Sequence, residues 1–411
     1  MDTAARGPAT GPPRGDSPEP AGATPVSWAD RWRAWRDRRV ASRAFRRWAV
    51  AFPPTRPIAR RRAAELFDLV AGFVYSQVLL ACVRLGLFEQ LAGGPQTAAV
   101  LARRLALTEP AAERLLAAAV SLRLVERRGG GRYGLGPLGA PLVDEPAITA
   151  MIEHHAALYA DLRDPVVLLR GEGPGALAAY WPYADTDPAA VPAALSAERV
   201  AAYSALMSAS QPLVIDELLD AYPIERHACL LDVGGGEGRF LRAAAQRAPA
   251  LGLMLFDLPA VAARAAEQLA AAGLAGRART FGGSFFGDEL PRGADLATLI
   301  RVCFDHPDER VLVILRAVRR ALPADGVLLL AEPMAGTPGA EAMGDAYFGF
   351  YLLAMGRGRP RSVAELTALL RAAGFGEVSL LRNRMPLQAQ VLMARPALGG
   401  DAEKLGSTRS M

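Results

Sequence analysis

The sequence predicts an α/β protein whose C-terminal half is an open, largely parallel sheet, preceded by an α-rich winged helix-turn-helix. Three observations predict it. From Ala228 onward, short apolar runs alternate with helical periodicity, as repeated βα units require. The first of these runs ends in a glycine-rich turn, Leu231 to Gly238, and the second ends in an acidic residue, Asp257. Upstream, residues 63–145 read as helix, turn, helix and then two short strands around glycines, a wing.

Composition bounds the rest. A chain of 411 residues suggests two or three domains, and 51% apolar residues supply ample core. Its basic residues are almost all arginine, Lys404 being the only lysine. A net charge of +5 does not by itself imply nucleic acid. Cys82, Cys229 and Cys303 lie far apart, and His154, His155, His227 and His306 are scattered. They fit neither zinc spacing nor a disulfide framework, so no metal and a reducing, cytoplasmic setting are expected. The N-terminus lacks a signal-peptide pattern. The apolar stretch Leu69 to Val83 reads as too short to span a bilayer, which suggests a soluble or peripheral protein.

Taken in order, residues 1–62 form a leader. Its first 25 residues have the Pro, Gly and Ala content of a disordered segment. Residues 26–62 hold Trp28, Trp32, Trp35 and Trp48 among a dozen arginines. Trp28, Trp32 and Trp35 share one helical face, whereas Phe45, Trp48 and Phe52 fall on another, which suggests two short helices. Arginine beside tryptophan suits a segment lying on anionic lipid. Packing of the tryptophans on the protein body is the competing reading.

The winged-helix domain is assigned to 63–145. Its first helix is expected to run unbroken to Gly93–Gly94, and Thr108 with Pro110 to open a later one. Residues 146–225 read as a helical linker with a loop from Gly171 to Pro192, residues 226–396 as the α/β domain, and 397–411 as a loose tail.

The strongest chemical signal is Leu231-Asp232-Val233-Gly234-Gly235-Gly236-Glu237-Gly238. Glycines at 234, 236 and 238 let the backbone turn sharply and approach a ligand with no Cβ in the way. A dinucleotide fingerprint needs its third glycine one place later, where Arg239 stands. The loop therefore suits a ligand without pyrophosphate, such as the adenosine and methionine parts of S-adenosylmethionine. Asp257, about twenty residues on, is placed to accept hydrogen bonds from ribose hydroxyls. A tight βα turn with an unrelated strand-end Asp is the bland alternative.

With these residues in view, 63–396 resembles the dimeric small-molecule O-methyltransferases. The motifs carrying the resemblance are DVGGGEG, FDLP, GGSFF, LIRVCFDHPDE, LLLAEPM and LLRAAGF, in that order. The resemblance implies a class I methyltransferase, Rossmann-like sheet behind a winged-helix dimerisation domain, S-adenosylmethionine as cofactor and a homodimer. DHPDE, GDAYFGFYLLAMGRGRPRS and the leader look like the branch of the family that methylates the tertiary hydroxyl of acyclic hydroxycarotenoids in bacterial photosynthesis. A hydrophobic substrate of that kind implies peripheral contact with the photosynthetic inner membrane.

Carried over by motif, the resemblance puts Asp232, Gly234, Gly236, Asp257, Ser284, Phe285 and Arg301 at the cofactor. Ser284 stands where the family often has an Asp beside the adenine, and Ile300 stands for a family lysine, with Arg301 next. The family's general base is the His of a His-Asp-Trp triplet, and here the triplet is Phe304-Asp305-His306. A supporting family glutamate aligns with Pro360, and only Glu332 survives.

Alignment supplies much of the acceleration in an in-line methyl transfer. A tertiary alcohol still has to lose its proton as the O–C bond forms. His306, whose ordinary pKa lies nearest neutrality, is the expected base, with Glu332 assisting and Asp305 as an alternative. His306 filling the tryptophan's place and capping a turn is the competing reading. The pair His154–His155 reads as a surface helix feature or a secondary substrate contact. The stretch Tyr347 to Met355 reads either as an aromatic wall for a polyene or as an ordinary core helix.

Two other functions fit the same residues. One is methylation of another pigment or aromatic metabolite, for example at a tetrapyrrole carbon. The other is a winged-helix regulator that senses S-adenosylmethionine. The would-be recognition helix has few basic or amide side chains, so no nucleic acid is expected as a partner.

Overall fold

A computed structural model describes residues 27–171, 177–178, 211–385 and 389–397. The first 25 residues, nearly all of the loop from Gly171 to Pro192 and the tail after residue 397 lie outside the described residues. The chain divides into two compact units, residues 1–77 and 78–411.

In the first unit, α1 (Trp28–Ala41) and α2 (Arg43–Ala51) are the two short helices expected, and α3 (Arg56–Arg84) begins here. Ser27 caps α1, and Ser42 both ends α1 and caps α2. Carbonyls left over at the helix ends accept from arginines: Arg46 donates to Ala41 and Arg56 to Ala51. Aromatic side chains here stay in water, Trp28 being 80% exposed and Trp48 50%.

Helix α3 corrects one expectation. It runs through the boundary drawn at residue 62, because Pro57 sits in the first turn, where its missing N–H costs nothing. With 29 residues it is long and apolar enough to cross a membrane by length and composition only, while the apolar stretch Leu69–Val83 within it is shorter than a span. Leu66, Phe67, Leu69, Val70, Phe73 and Val74 are all exposed along it.

In the second unit the end of α3 enters a core with Phe88, Leu101, Leu116, Val125 and Tyr133. The helix expected to reach Gly93 breaks at Gly86, whose φ of +66° is left-handed, and α4 (Leu87–Ala92) follows. Next come β1 (Gln96–Thr97), α5 (Ala98–Arg104), α6 (Glu109–Ser121), β2 (Val125–Arg128) and β3 (Arg132–Leu135). Thr108 caps α6 as expected, and the antiparallel order β1-β3-β2 makes the wing. Helices α7 (Pro146–Asp161), α8 (Pro165–Leu169) and α9 (Pro212–Ala221) lead to the α/β domain.

That domain contains β4 (Cys229–Val233), α10 (Arg239–Arg247), β5 (Gly252–Asp257), α11 (Pro259–Ala271), β6 (Ala278–Gly282) and β7 (Leu296–Ile300). It continues with α12 (Asp308–Ala321), β8 (Val327–Glu332), a π-helical turn (Ala342–Phe348), α13 (Gly349–Met355), α14 (Val363–Ala372), β9 (Phe375–Leu380) and β10 (Gln390–Pro396). The seven strands lie in the order β6-β5-β4-β7-β8-β10-β9, with β10 antiparallel to both of its neighbours and the others parallel. Successive residues feed opposite faces: Leu231 and Leu330 join one apolar layer, Leu230 and Leu329 the other. Strand order reverses between β4 and β7, which opens a crevice beyond their C-terminal ends.

Candidate active site

Three left-handed glycines build the loop after β4: Gly234, Gly236 and Gly238, with φ of +72°, +56° and +76°. A Cβ on Gly234 would come within 2.8 Å of Val302, so this glycine lets the loop press against the turn that follows β7. A Cβ on Gly236 would meet only the Gln211 amide nitrogen, at 3.9 Å, which leaves bare backbone facing the crevice.

Asp257, at the end of β5, accepts from the Gly236 N–H at 2.8 Å and the Leu258 N–H at 2.7 Å. Burial outweighs these bonds and raises its carboxyl to about 6. Asp232 lies beneath Gly235 and accepts from the Thr298 hydroxyl at 2.7 Å. Burial first, opposed by that bond and aided by Asp257, raises Asp232 to about 7. Gln211, which sequence reasoning missed because it precedes the βα series, has a buried Oε1 without a hydrogen-bond partner among the described residues. Bare backbone, strand-end carboxyl and orphaned amide oxygen suit a ligand with ribose hydroxyls and an ammonium group.

Ser284 closes the turn after β6. Its N–H donates to Asp288, and its hydroxyl accepts from the Phe286 N–H at 3.3 Å. Phe285 and Phe286 meet His306 edge-on, at centroid distances of 5.8 and 5.3 Å, and Arg310 lies over Phe286. Burial, then Arg310, Arg361 and Arg357, lower His306 to about 4, so its imidazole is neutral near pH 7. Its ring therefore occupies an aromatic slot on the Ser284 side of the crevice.

Glu332 ends β8 beneath the turn carrying Phe304, Asp305 and His306. One carboxylate oxygen accepts from Val302 and Cys303 and the other from Phe304, at 3.1, 2.7 and 3.3 Å. Burial raises Glu332 to about 7 despite these bonds. Both oxygens are thus engaged in holding the main chain. Asp305 is buried beside it and raised well above the carboxylate range, by burial first and Glu332 second, with Arg301 opposing. Sequence reasoning also missed Arg361, a buried guanidinium that donates to the carbonyls of Cys303 and His306 and to Asp308.

On the other side of this turn, Phe304 packs edge-on against Phe348 at 6.1 Å. Arg301, held at a left-handed φ of +55°, places its guanidinium 5.8 Å from the Phe304 ring. Tyr347, Phe348, Tyr351, Leu352 and Met355 continue the apolar wall, so the aromatic stretch forms a core cluster around the triplet position. The adjacent histidines of α7 face it. His155 Nε2 lies 2.7 Å from the Tyr347 hydroxyl, and His154 Nε2 lies 3.0 Å from that of Tyr351. Both histidines are half-buried, and burial lowers both, His154 to about 4. Among the described residues no group of three His, Cys, Asp or Glu is placed to hold a metal.

A glycine loop and a strand-end carboxyl on a seven-stranded sheet with one reversed strand, β10, define an S-adenosylmethionine-dependent methyltransferase of class I fold. The O-methyltransferase domain matches residues 159–376, and the O-methyltransferase dimerisation domain matches residues 67–145. The chain belongs to this O-methyltransferase family and is an S-adenosylmethionine-dependent enzyme.

Among its relatives, demethylspheroidene O-methyltransferase of Cereibacter sphaeroides is 44% identical over 88% of this chain and 94% of its own. The enzyme of the same name from Rhodobacter capsulatus is 42% identical over 82% and 83%. In solved structures, the S-adenosylmethionine-dependent methyltransferase SibL superposes with a TM-score of 0.68 at 27% identity, over 81% of this chain and 99% of its own.

Proposed function

We propose that this enzyme methylates the tertiary hydroxyl of an acyclic hydroxycarotenoid, of the demethylspheroidene type, as a homodimer lying peripherally on an anionic photosynthetic membrane. The observation carrying the substrate reading is the buried cluster around Phe304: Phe348, Tyr351, Leu352 and Met355 make apolar and aromatic surroundings where the family's ionisable base stands. A polyene needs such a surface and offers few hydrogen bonds. Likeness to two demethylspheroidene O-methyltransferases supports the same reading.

S-adenosylmethionine supplies an electrophilic methyl group. Asp257 would take the ribose hydroxyls and Gly234 and Gly236 would line the methionine end. Glu332 and Arg361 hold the turn that brings the acceptor wall to the glycine loop. Incubation with labelled S-adenosylmethionine and extracted hydroxycarotenoids, followed by product mass, tests the proposal. A labelled tetrapyrrole or aromatic metabolite in place of a methoxycarotenoid would overturn it.

The exposed apolar face of α3, within the region matched as a dimerisation domain, supports the homodimer. Membrane contact is supported by the leader. Residues 26–62 carry twelve arginines against two aspartates, a charge of +10, which leaves −5 for the rest of a +5 chain. Arg36 and Arg39 lie over the rings of Trp32 and Trp35, which keeps charge and indole together at one surface.

A further inference from the structure

The usual base position holds Phe304, Glu332 is occupied by three main-chain donors, and His306 sits on the Ser284 side of the turn. A proton acceptor has to come from the groups that face the acceptor side. The contacts lead outward from the cofactor loop in a short series. Gly234 abuts Val302, and Phe304, two residues on, meets Phe348. Phe348 meets Tyr347 at 5.0 Å, and the Tyr347 hydroxyl lies 2.7 Å from His155 Nε2. Among the described residues two histidine–hydroxyl hydrogen bonds lie in this wall, and the shorter of them, Tyr347 to His155, is on the residue next to Phe348, which packs on Phe304 at the position of the missing base.

We propose that Tyr347 accepts the alcohol proton and passes its own to His155, so that this pair replaces the absent family base. The inference rests on the O-methyltransferase reading above. A phenol can do this because its oxygen keeps an acceptor lone pair while its hydrogen points at Nε2. In the step, the acceptor O–H bond breaks as its oxygen bonds to the methyl carbon, and the sulfonium C–S bond leaves its electron pair on sulfur. The proton goes to Tyr347 Oη, and the hydrogen already there moves to His155 Nε2. The products are a neutral thioether, an ether and one imidazolium.

A strong base is not required. An alcohol oxygen that has begun to bond a third group is far more acidic than the alcohol, so a weak base in the correct place is sufficient. What matters is that His155 is unprotonated when the substrate arrives, and burial secures this by lowering it from the ordinary histidine value. Burial pushes Tyr347 up to about 12, so its proton stays on until it is transferred. Arg301 opposes that rise, and its positive charge favours the phenolate character that develops during transfer.

The test uses the full chain, labelled S-adenosylmethionine and a hydroxycarotenoid. Tyr347→Phe keeps the ring and removes the relay, and kcat should fall about 10²-fold with carotenoid KM changed by less than threefold. His155→Gln can still hold the tyrosine hydroxyl but cannot take its proton, so kcat should fall at least about tenfold. Calorimetry of S-adenosylmethionine binding confirms folding in each variant. Native kcat in Tyr347→Phe overturns the proposal, and full rescue by His155→Gln reduces the histidine to a positioning residue and overturns the relay. An inactive native enzyme overturns the carotenoid reading, and the proposal with it.

Discussion

Asp257→Asn separates the two tasks given to one carboxyl. In the structure each oxygen accepts one main-chain N–H, from Gly236 at 2.8 Å and Leu258 at 2.7 Å. Asparagine keeps the volume but offers one acceptor, so one N–H faces an amide NH2 and a charged acceptor for ribose is lost. Hydrogen bonds to charged groups are worth about 1.5–3 kcal/mol, so S-adenosylmethionine should bind roughly 10- to 150-fold more weakly.

A pH signature distinguishes this from general damage. Burial raises Asp257 to about 6, and the proposed bonds from ribose call for its carboxylate form. Native affinity should therefore hold above pH 6 and fall by about tenfold per unit below it, while the variant stays flat. Titration calorimetry from pH 5 to 8, with Tm measured alongside, reads both effects. An unchanged Kd at pH 7.5, or parallel pH profiles, would refute the assignment of Asp257 to the ribose.

Three further outcomes follow from other parts of the molecule. His306 has a folded pKa of about 4 against an ordinary 6.5, so stability is lost as pH falls from 6.5 towards 4. His306→Phe should escape that loss and gain on the native protein by up to about 3 kcal/mol at pH 4 in urea melts; a constant difference across pH would count against burial as the cause. Gly358→Ala should lower both stability and kcat, because φ is +77° there and a Cβ would collide with the Phe304 carbonyl; a native Tm and kcat would show that the turn tolerates the shift. Removing residues 1–62 should abolish salt-sensitive sedimentation with anionic liposomes and leave S-adenosylmethionine affinity intact; equal sedimentation would favour tryptophans that serve the protein's own packing.

The cofactor side was legible in the sequence because it is local. Gly234, Gly236 and Gly238 announce left-handed backbone by residue type, and Asp257 announces itself by its place at the end of the next strand. The doubly buried strands were legible as apolar runs, β7 being buried at every position from Leu296 to Ile300. The acceptor side was not. Tyr347 and His155 lie 192 residues apart, and no local pattern pairs them. Consecutive histidines on a helix look like surface until a partner helix with tyrosines one turn apart is placed opposite. Arg361 was hidden for a related reason: an arginine in a loop gives no sign that its guanidinium will be buried against three groups. Helix α3 was cut at residue 62 because charge changes there, while main-chain hydrogen bonding continues through the change.

The leader's charge has a consequence for how the enzyme migrates. The whole chain has a pI near 9.4 and moves as a base. That value averages two oppositely charged parts, and cutting after residue 62 removes nine net positive charges in one short peptide. The body left behind is acidic, so in a neutral field it travels towards the anode while the full chain travels towards the cathode. Proteolytic clipping during isolation would therefore announce itself as a reversal of electrophoretic direction, before any change in catalysis is measured.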